Sequence, residues 1–486
     1  MSTVHLDVDE YRALLSDALP SAQDADTIRP SITSLFTPDR HRRALDVDAT
    51  VVRGGRGVGK TVWCRSLLND DLRRLAAAEY NIDRLNRVQV SAGFGADLEP
   101  DRYPGPSELR QLIDSGAEAY QLWNAVLLVA LKHPGISAAA GWSARLDWLR
   151  DNPGERDRWI ARADQEAQAS ATTQLILFDA LEHLHSERRL ADLWVGGILQ
   201  LALDLRLRTK AIRFKIFIRP DMLEGADLHF PDASKLVSNA ADLKWSTANL
   251  YGLFFHYLGN SELPAAEKFR TATPGWREPA SGRHLPPESL VREAETQAAE
   301  FRKIAGPYMG ANYRKGITYT WLPNHLMDGT EQVSPRSFMV ALFAAVQDTI
   351  ENRPSSTYPI FHEGIRRGVQ VASKTRVTEI REDLPWVGTA VELLAGQQVP
   401  IEESAVVDLW EKRGLSQLFR EEAVRMSRSD EDELRTGPRY PDNYSRLIGE
   451  LIELGVMQRR KDGRLDLPDV YRIAFSIGRK GGVPKA

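Results

Sequence analysis

In the first half of the chain, short and nearly continuous apolar runs alternate with stretches whose apolar residues recur every three or four positions. The runs are Ala49-Thr50-Val51-Val52, Arg87–Ser91, Leu175–Phe178, Phe214–Ile218 and, more weakly, Ala241–Trp245. Parallel strands are buried on both faces and show this pattern. Val62–Leu75 and Arg188–Leu207 between them have helical spacing, so the alternation predicts an α/β fold with a doubly wound parallel sheet and right-handed crossovers. The interval 98–171 is too long for one crossover. Its apolar spacing at Leu109, Leu112, Leu122, Trp123, Val126 and Leu127 predicts a helical insertion, reached through the Pro- and Asp-rich Pro100–Pro106.

The second half has a different rhythm. A helix is predicted at Leu250–Leu258, a Pro- and Gly-rich loop at Ala272–Pro287, and a helix opened by Ser334-Pro335-Arg336 and reaching Ile350, with serine as N-cap and proline in the first turn. Glu351–Pro385 reads as a connector. Helical runs at Val387–Leu394, Glu403–Lys412 and Asn443–Leu454 precede Gly455, a strand Val456–Arg460, the turn Lys461-Asp462-Gly463 and a strand Arg464–Leu467. Asp-Gly between strand patterns is a strong hairpin signal. Helix, glycine and hairpin outline a winged-helix-like domain. The expected organisation is a helical lead-in over 1–48, an α/β core over 49–248, a helical lid and connector over 249–385, and the winged-helix-like domain over 386–486.

Composition narrows the class. With 486 residues and a formal net charge of −4, the molecule carries no overall field that draws it to nucleic acid or an anionic membrane. A single cysteine, Cys64, excludes an internal disulfide framework, fits a reducing cytosol, and reads as a small core side chain. The N-terminal stretch lacks the basic and apolar regions of a secretory signal, and Trp123–Leu131 and Leu193–Leu203 are too short or too interrupted to cross a membrane. A soluble, cytoplasmic protein with no membrane partner is expected.

Residues 54–61 bring in chemistry. Gly54-Gly55-Arg56-Gly57-Val58-Gly59-Lys60-Thr61 fills the phosphate-loop pattern G-x-x-x-x-G-K-[ST], between a strand-like and a helix-like segment. The loop through Val62 turns backbone N–H groups inward around an anion, and the following helix aims its positive end at the same place. Lys60 supplies charge for the β- and γ-phosphates of ATP, and Thr61 offers a hydroxyl to Mg²⁺. Asp179, at the end of a buried strand, is placed to complete the magnesium shell. Glu182, three residues on, is the candidate to orient attacking water, with a solvated helix-start glutamate as its alternative. Arg219 ends the strand expected beside the phosphate-loop strand and is a candidate γ-phosphate sensor; a salt bridge to Asp221 is its alternative. Arg336 is a candidate sensor on the lid helix, with plain surface exposure as its alternative. His183 and His185 read as solvated or packing residues, since positions i and i+2 on a helix point apart.

The phosphate loop, Phe178-Asp179-Ala180-Leu181-Glu182, Arg219 at a strand end and Ser334-Pro335-Arg336 before a helix together resemble the additional-strand P-loop ATPases, especially their bacterial STAND, AAA+ and KAP-like branches. The resemblance covers roughly Leu35 to Ile350 plus the winged helix. It implies ATP and Mg²⁺ as cofactors, binding and hydrolysis by Lys60, Thr61, Asp179 and Glu182, and sensing by Arg219 and Arg336. Arg206, Arg208 and Arg213 stand where a ring-forming member places a finger arginine; a solvated helix end is the alternative. The expected function is an ATP-driven switch coupled to a protein partner or to self-assembly, in bacterial signalling or antiviral defence. Two other readings stand beside it: a DNA-binding initiator or remodelling ATPase acting through the wing cations Arg459, Arg460, Lys461 and Arg464, and a nucleotide-binding scaffold without turnover. Arg446 on the preceding helix favours DNA, whereas Glu450 and Glu453 oppose it, so protein contact is preferred.

Overall fold

The computed structural model describes residues 5–22, 29–185, 187–226, 228–279, 281–427 and 437–479. The chain divides into two compact units, one built on Asp39–Leu243 and the other on Met1–Pro38 together with Lys244–Asp430 and Gly437–Ala486.

The first unit is a five-stranded parallel sheet: β1 (Val51–Arg53), β2 (Val88–Phe94), β3 (Thr173–Phe178), β4 (Ile212–Ile218) and β5 (Ala241–Asp242). Their order is β2-β3-β4-β1-β5, so β4 lies between the strand before the phosphate loop and the strand ending at Asp179. Leu175, Ile176, Leu177 and Phe178 are all within 1% of full burial, because helices cover both sheet faces. The insertion contains five helices, Pro106–Asp114, Ala119–Ala130, Pro134–Ala138, Gly141–Asp151 and Glu155–Ala169. It is tied to the long crossover helix by Trp123, whose indole N–H donates to the Trp194 carbonyl at 2.9 Å.

One expected helix becomes two. Instead of running from Val62 to Leu75, the chain forms α1 (Lys60–Leu68), breaks at Asn69, and restarts as α2 (Asp70–Tyr80). The Asn69 side chain accepts from the N–H groups of Asp71 and Leu72, and this N-cap fixes the break. The crossover helix α3 (Arg188–Arg208) matches its expectation.

In the second unit, Tyr251, Phe254, Phe255, Phe301 and Phe338 form an aromatic core. The helix opened by Ser334 is α4 (Pro335–Asn352), with the Ser334 hydroxyl accepting from Ser337 N–H at 3.5 Å. The expected connector after it is wrong: His362–Asp383 is a 22-residue helix, α5. Its Gly364 and Gly368 lie against α4, where a Cβ on Gly368 would come 2.0 Å from the Ala341 carbonyl oxygen. With no side chain, Gly364 and Gly368 let the two helices touch.

Toward the C-terminus, helices Pro385–Glu392, Glu403–Lys412 and Leu415–Ser427 precede α6 (Tyr444–Glu453), Gly455 at φ +71°, and a hairpin of β6 (Gln458–Arg459) and β7 (Leu465–Asp466). The pair is antiparallel, and an isolated bridge joins Ile401 to Leu465. Among the described residues, no helix is long and apolar enough to cross a membrane.

Candidate functional site

The phosphate loop lies between β1 and α1, as a P-loop nucleotide-binding core requires. Its reversal depends on left-handed backbone at Gly57 (φ +73°) and Gly59 (φ +102°), which side chains resist. A Cβ on Gly54 would lie 2.6 Å from Val58 Cγ2, so this position is closed to larger residues as well. Helix α1 begins at Lys60, and its first-turn N–H groups have no partner one turn back. Lys60 folds over the loop, its ammonium donating to the carbonyls of Gly54 at 3.0 Å and Gly55 at 2.9 Å. Burial pushes its pKa down, against the opposing pull of Glu182 and Asp179.

Asp179 follows β3, its N–H donating to Phe94 O at 3.1 Å. The side chain is buried, and its Oδ1 has no hydrogen-bond partner. The Thr61 hydroxyl lies beside the same carboxylate and works to lower its pKa. Burial first, and then the nearby Glu182 charge, push the Asp179 pKa up. An unsatisfied buried carboxylate oxygen beside a threonine hydroxyl is a donor set suited to a hard cation, so these residues fit the implied Mg²⁺. Among the described residues no cluster of three or more His, Cys, Asp or Glu could hold a metal. Such an ion would therefore take its other ligands from water and phosphate.

The path from Asp179 to Glu182 was not visible in the sequence. Ala180 sits at φ +55°, ψ +38°, a left-handed conformation unusual for alanine, and the chain then makes a single 3₁₀ turn over Leu181–His183. This reversal brings Glu182 to Lys60. Burial alone would raise the Glu182 pKa, but Lys60 and Arg219 outweigh it and hold the carboxyl below its ordinary value. Of the two histidines, His183 is exposed and His185 Nδ1 accepts from Glu187 N–H at 2.9 Å.

Arg219, at the end of β4, is held bidentately by Asp221, Nε to Oδ1 at 3.0 Å and Nη2 to Oδ2 at 2.8 Å. Asp221 also receives Arg188, whose Nη2 donates to the Asp221 backbone oxygen at 2.7 Å. The aspartate two residues after the arginine in Ile218-Arg219-Pro220-Asp221 signalled this pairing, whereas Arg188 carried no signal. Thus Lys60, Asp179, Glu182, Arg219 and Asp221 act on one another at the C-terminal ends of β1, β3 and β4, the edge where open α/β sheets bind ligands. Arg336 is in the other unit, its Nη1 2.9 Å from Glu379 Oε1. Arg213 pairs with Asp48 at 3.0 Å and Arg206 donates to the Asp48 backbone oxygen at 3.4 Å, by the N-terminal end of β4.

Each arginine of the C-terminal hairpin is paired. Arg459 pairs with Glu403 at 2.5 Å, Arg460 with Asp466 at 3.0 Å and Arg464 with Asp462 at 2.7 Å. Glu450, expected to face outward and repel phosphate, is buried and accepts the N–H groups of Arg439 and Tyr440 at 3.0 and 3.1 Å. Arg446 lies over the Tyr440 ring.

No family model matches the chain, and no curated protein does. Among solved structures, the Aeropyrum pernix ORC2 protein, described as its ADPNP-ADP complexes, aligns with 87% of this chain and 84% of its own at 13% identity. The TM-score of 0.30 makes that likeness too slight to bear on fold or function.

Proposed function

We propose that the chain is an ATP-binding and ATP-hydrolysing switch of the additional-strand P-loop class. The observation that carries the reading is Asp179: a buried carboxylate with an unsatisfied oxygen, beside Thr61, at the edge where the phosphate loop opens. Such a group is unfavourable in a purely structural role.

In this reading Lys60 exchanges the carbonyls of Gly54 and Gly55 for the β- and γ-phosphate oxygens, while the loop amides from Gly55 to Val62 hold the remaining charge. Thr61 and Asp179 would hold Mg²⁺, which when bound would neutralise charge developing on the phosphates. Glu182, kept ionised by its cationic neighbours, accepts a hydrogen bond from the attacking water and orients it. Arg219, aimed by Asp221, stabilises the transferring phosphoryl group. The lid arginine of the resembling families corresponds to Arg336, which pairs with Glu379 in its own unit. The hairpin and α6 correspond to a winged helix. Because each wing arginine is already paired within its own unit, this domain suits packing or protein contact better than duplex DNA.

Two variants test the site. Lys60→Ala is expected to lose ATP affinity in equilibrium binding of a fluorescent ATP analogue. Glu182→Gln is expected to retain ATP and lose phosphate release by about 10²-fold or more. ATP binding by Lys60→Ala as tight as that of the parent would overturn the site. No phosphate release by the parent would leave a nucleotide-binding scaffold in place of an ATPase, and turnover by Glu182→Gln equal to the parent's would remove Glu182 from the reaction.

A further inference from the structure

Residues 301–327 contain four Arg or Lys and no Asp or Glu, in a chain whose acids outnumber its bases. The middle of this run is a hairpin-like loop in the second unit. Met309 N–H donates to Gly316 O at 2.9 Å, Thr318 N–H donates to Pro307 O at 3.2 Å, and Tyr308 bridges Ile317. The tip is tightly wound: Gly316 N–H reaches Tyr313 O at 3.1 Å, and the Asn312 side chain accepts from Arg314 N–H at 3.1 Å. Trp321 packs beneath it, so close that a Cβ on Gly316 would lie 2.8 Å from the indole.

This loop holds three side chains out in solvent. Tyr313 is 66% exposed, and Arg314 and Lys315 are both exposed. The Arg314 guanidinium lies 6.0 Å from the centre of the Tyr313 ring. Neither cation has a carboxylate partner among the described residues, in contrast to the arginines of the C-terminal hairpin. A large aromatic ring held in water on a firm turn, next to two uncompensated cations, has no role in the core.

We propose that this hairpin binds single-stranded nucleic acid, with Tyr313 stacking on an unpaired base and Arg314 and Lys315 contacting the flanking phosphates. The combination decides the ligand class. Phosphates answer the two cations, and a base face answers the ring, which stacks on any of the bases. A duplex keeps its base faces covered and offers only the phosphates. A run of Asp and Glu offers carboxylates but no flat π-surface. The proposal requires no bound nucleotide, so it stands or falls independently of ATP hydrolysis.

Fluorescence anisotropy with the full chain, free of nucleotide, tests it, using a labelled oligothymidylate of about 20 nucleotides. Tyr313→Ala is expected to weaken binding roughly tenfold or more, while Tyr313→Phe, which keeps the ring, binds as the parent does. Arg314→Ala with Lys315→Ala is expected to reduce the log-log salt slope by about 1.4, at roughly 0.7 for each phosphate contact. Arg459→Ala with Arg460→Ala on the other hairpin should change nothing. All three tip residues are solvent-exposed, so folding is not at stake. No binding by the parent at about 50 mM salt would overturn the proposal. So would equal affinity for a duplex, an unaltered Tyr313→Ala variant, or displacement by polyglutamate as effective as by unlabelled oligothymidylate.

Discussion

Arg219 grips Asp221 side-on through two hydrogen bonds of 3.0 and 2.8 Å, with both side chains only 9% exposed. Arg188 closes on the same aspartate from the first turn of α3, so the end of β4 and the start of the long crossover helix share one carboxylate. The sensor candidate is thus an aimed group, held by a buried acid that is itself held from the other side. Bidentate geometry fixes the plane of the guanidinium as well as its position.

Removing the charge of Asp221 should therefore do two things at once. Asp221→Asn leaves the buried Arg219 and the half-buried Arg188 facing a neutral amide, and breaking a buried pair in this way costs roughly 3–5 kcal/mol. Urea unfolding should show that loss. Turnover should fall further than nucleotide affinity, because the aim of Arg219 matters most as charge moves off the γ-phosphate. Parent-like unfolding of Asp221→Asn would show that the clamp carries little.

The raised pKa of Asp179 makes a prediction with a definite sign. A carboxyl whose folded pKa lies above its unfolded value contributes stability at low pH, which is lost as pH rises through the folded value. Above the unfolded value the nucleotide-free protein therefore carries a cost at this buried carboxyl. Asp179→Asn should be more stable than the parent near pH 7, and the advantage should vanish below about pH 4. Added Mg²⁺ with ATP should stabilise the parent and not the variant. Urea midpoints that follow pH identically in the two proteins would refute this account.

Lys215 predicts a different pH window. It is fully buried, and its ammonium donates to the carbonyls of Ala44, Asp46 and Ala49 at 2.7, 2.8 and 2.9 Å, tying down the segment that leads into β1. Burial pushes its pKa down to about 7, with Asp46 and Asp48 pulling the other way. The unfolded chain keeps this proton up to about pH 10, so between about 7 and 10 it binds more protons than the folded chain does. Stability from this group should rise with pH across that window, by at most about 1.4 kcal/mol per unit, and be level below it. Lys215→Met should remove that slope in unfolding experiments across the same range; an unchanged slope would assign the titration elsewhere.

What the sequence disclosed and what it hid divide along physical lines. Strands buried on both faces leave apolar runs that survive any register, so all five strands were legible. The phosphate-loop pattern, Asp179 and Glu182 could be singled out because the proposed chemistry depends on residue type at short spacing. The left-handed turn at Ala180 was not, since alanine gives no hint of a positive φ. The wing arginines read as an exposed charge run because two of their partners, Glu403 and Asp466, become neighbours only on folding. The break at Asn69 was visible in Asn69-Asp70-Asp71, an N-cap followed by two first-turn acids, yet the apolar period across it was stronger. Glycines such as Gly364 and Gly368 within helix α5 carry the same signal whether they end a helix or let one approach its neighbour.

That last ambiguity can be resolved by experiment, because the two roles predict opposite signs. Glycine inside a helix is less favourable than alanine by about 1 kcal/mol, so replacing it in open space should stabilise. Gly449, within α6, has nothing within 4 Å of where its Cβ would be, and Gly449→Ala should gain most of that amount. Gly368 has the same helical backbone but faces α4. Its Cβ would meet the Ala341 carbonyl oxygen at 2.0 Å and the Ala341 carbonyl carbon at 2.9 Å, and a backbone obstacle cannot rotate away. Gly364 repeats the situation one turn earlier, 2.6 Å from the Ala345 carbonyl oxygen. Gly368→Ala must therefore part the two helices along a buried seam, and the overpacking loss of roughly 1–3 kcal/mol exceeds the propensity gain. Urea unfolding of the two variants side by side should show Gly449→Ala moving up and Gly368→Ala moving down. If both move up, α4 and α5 do not pack at this distance.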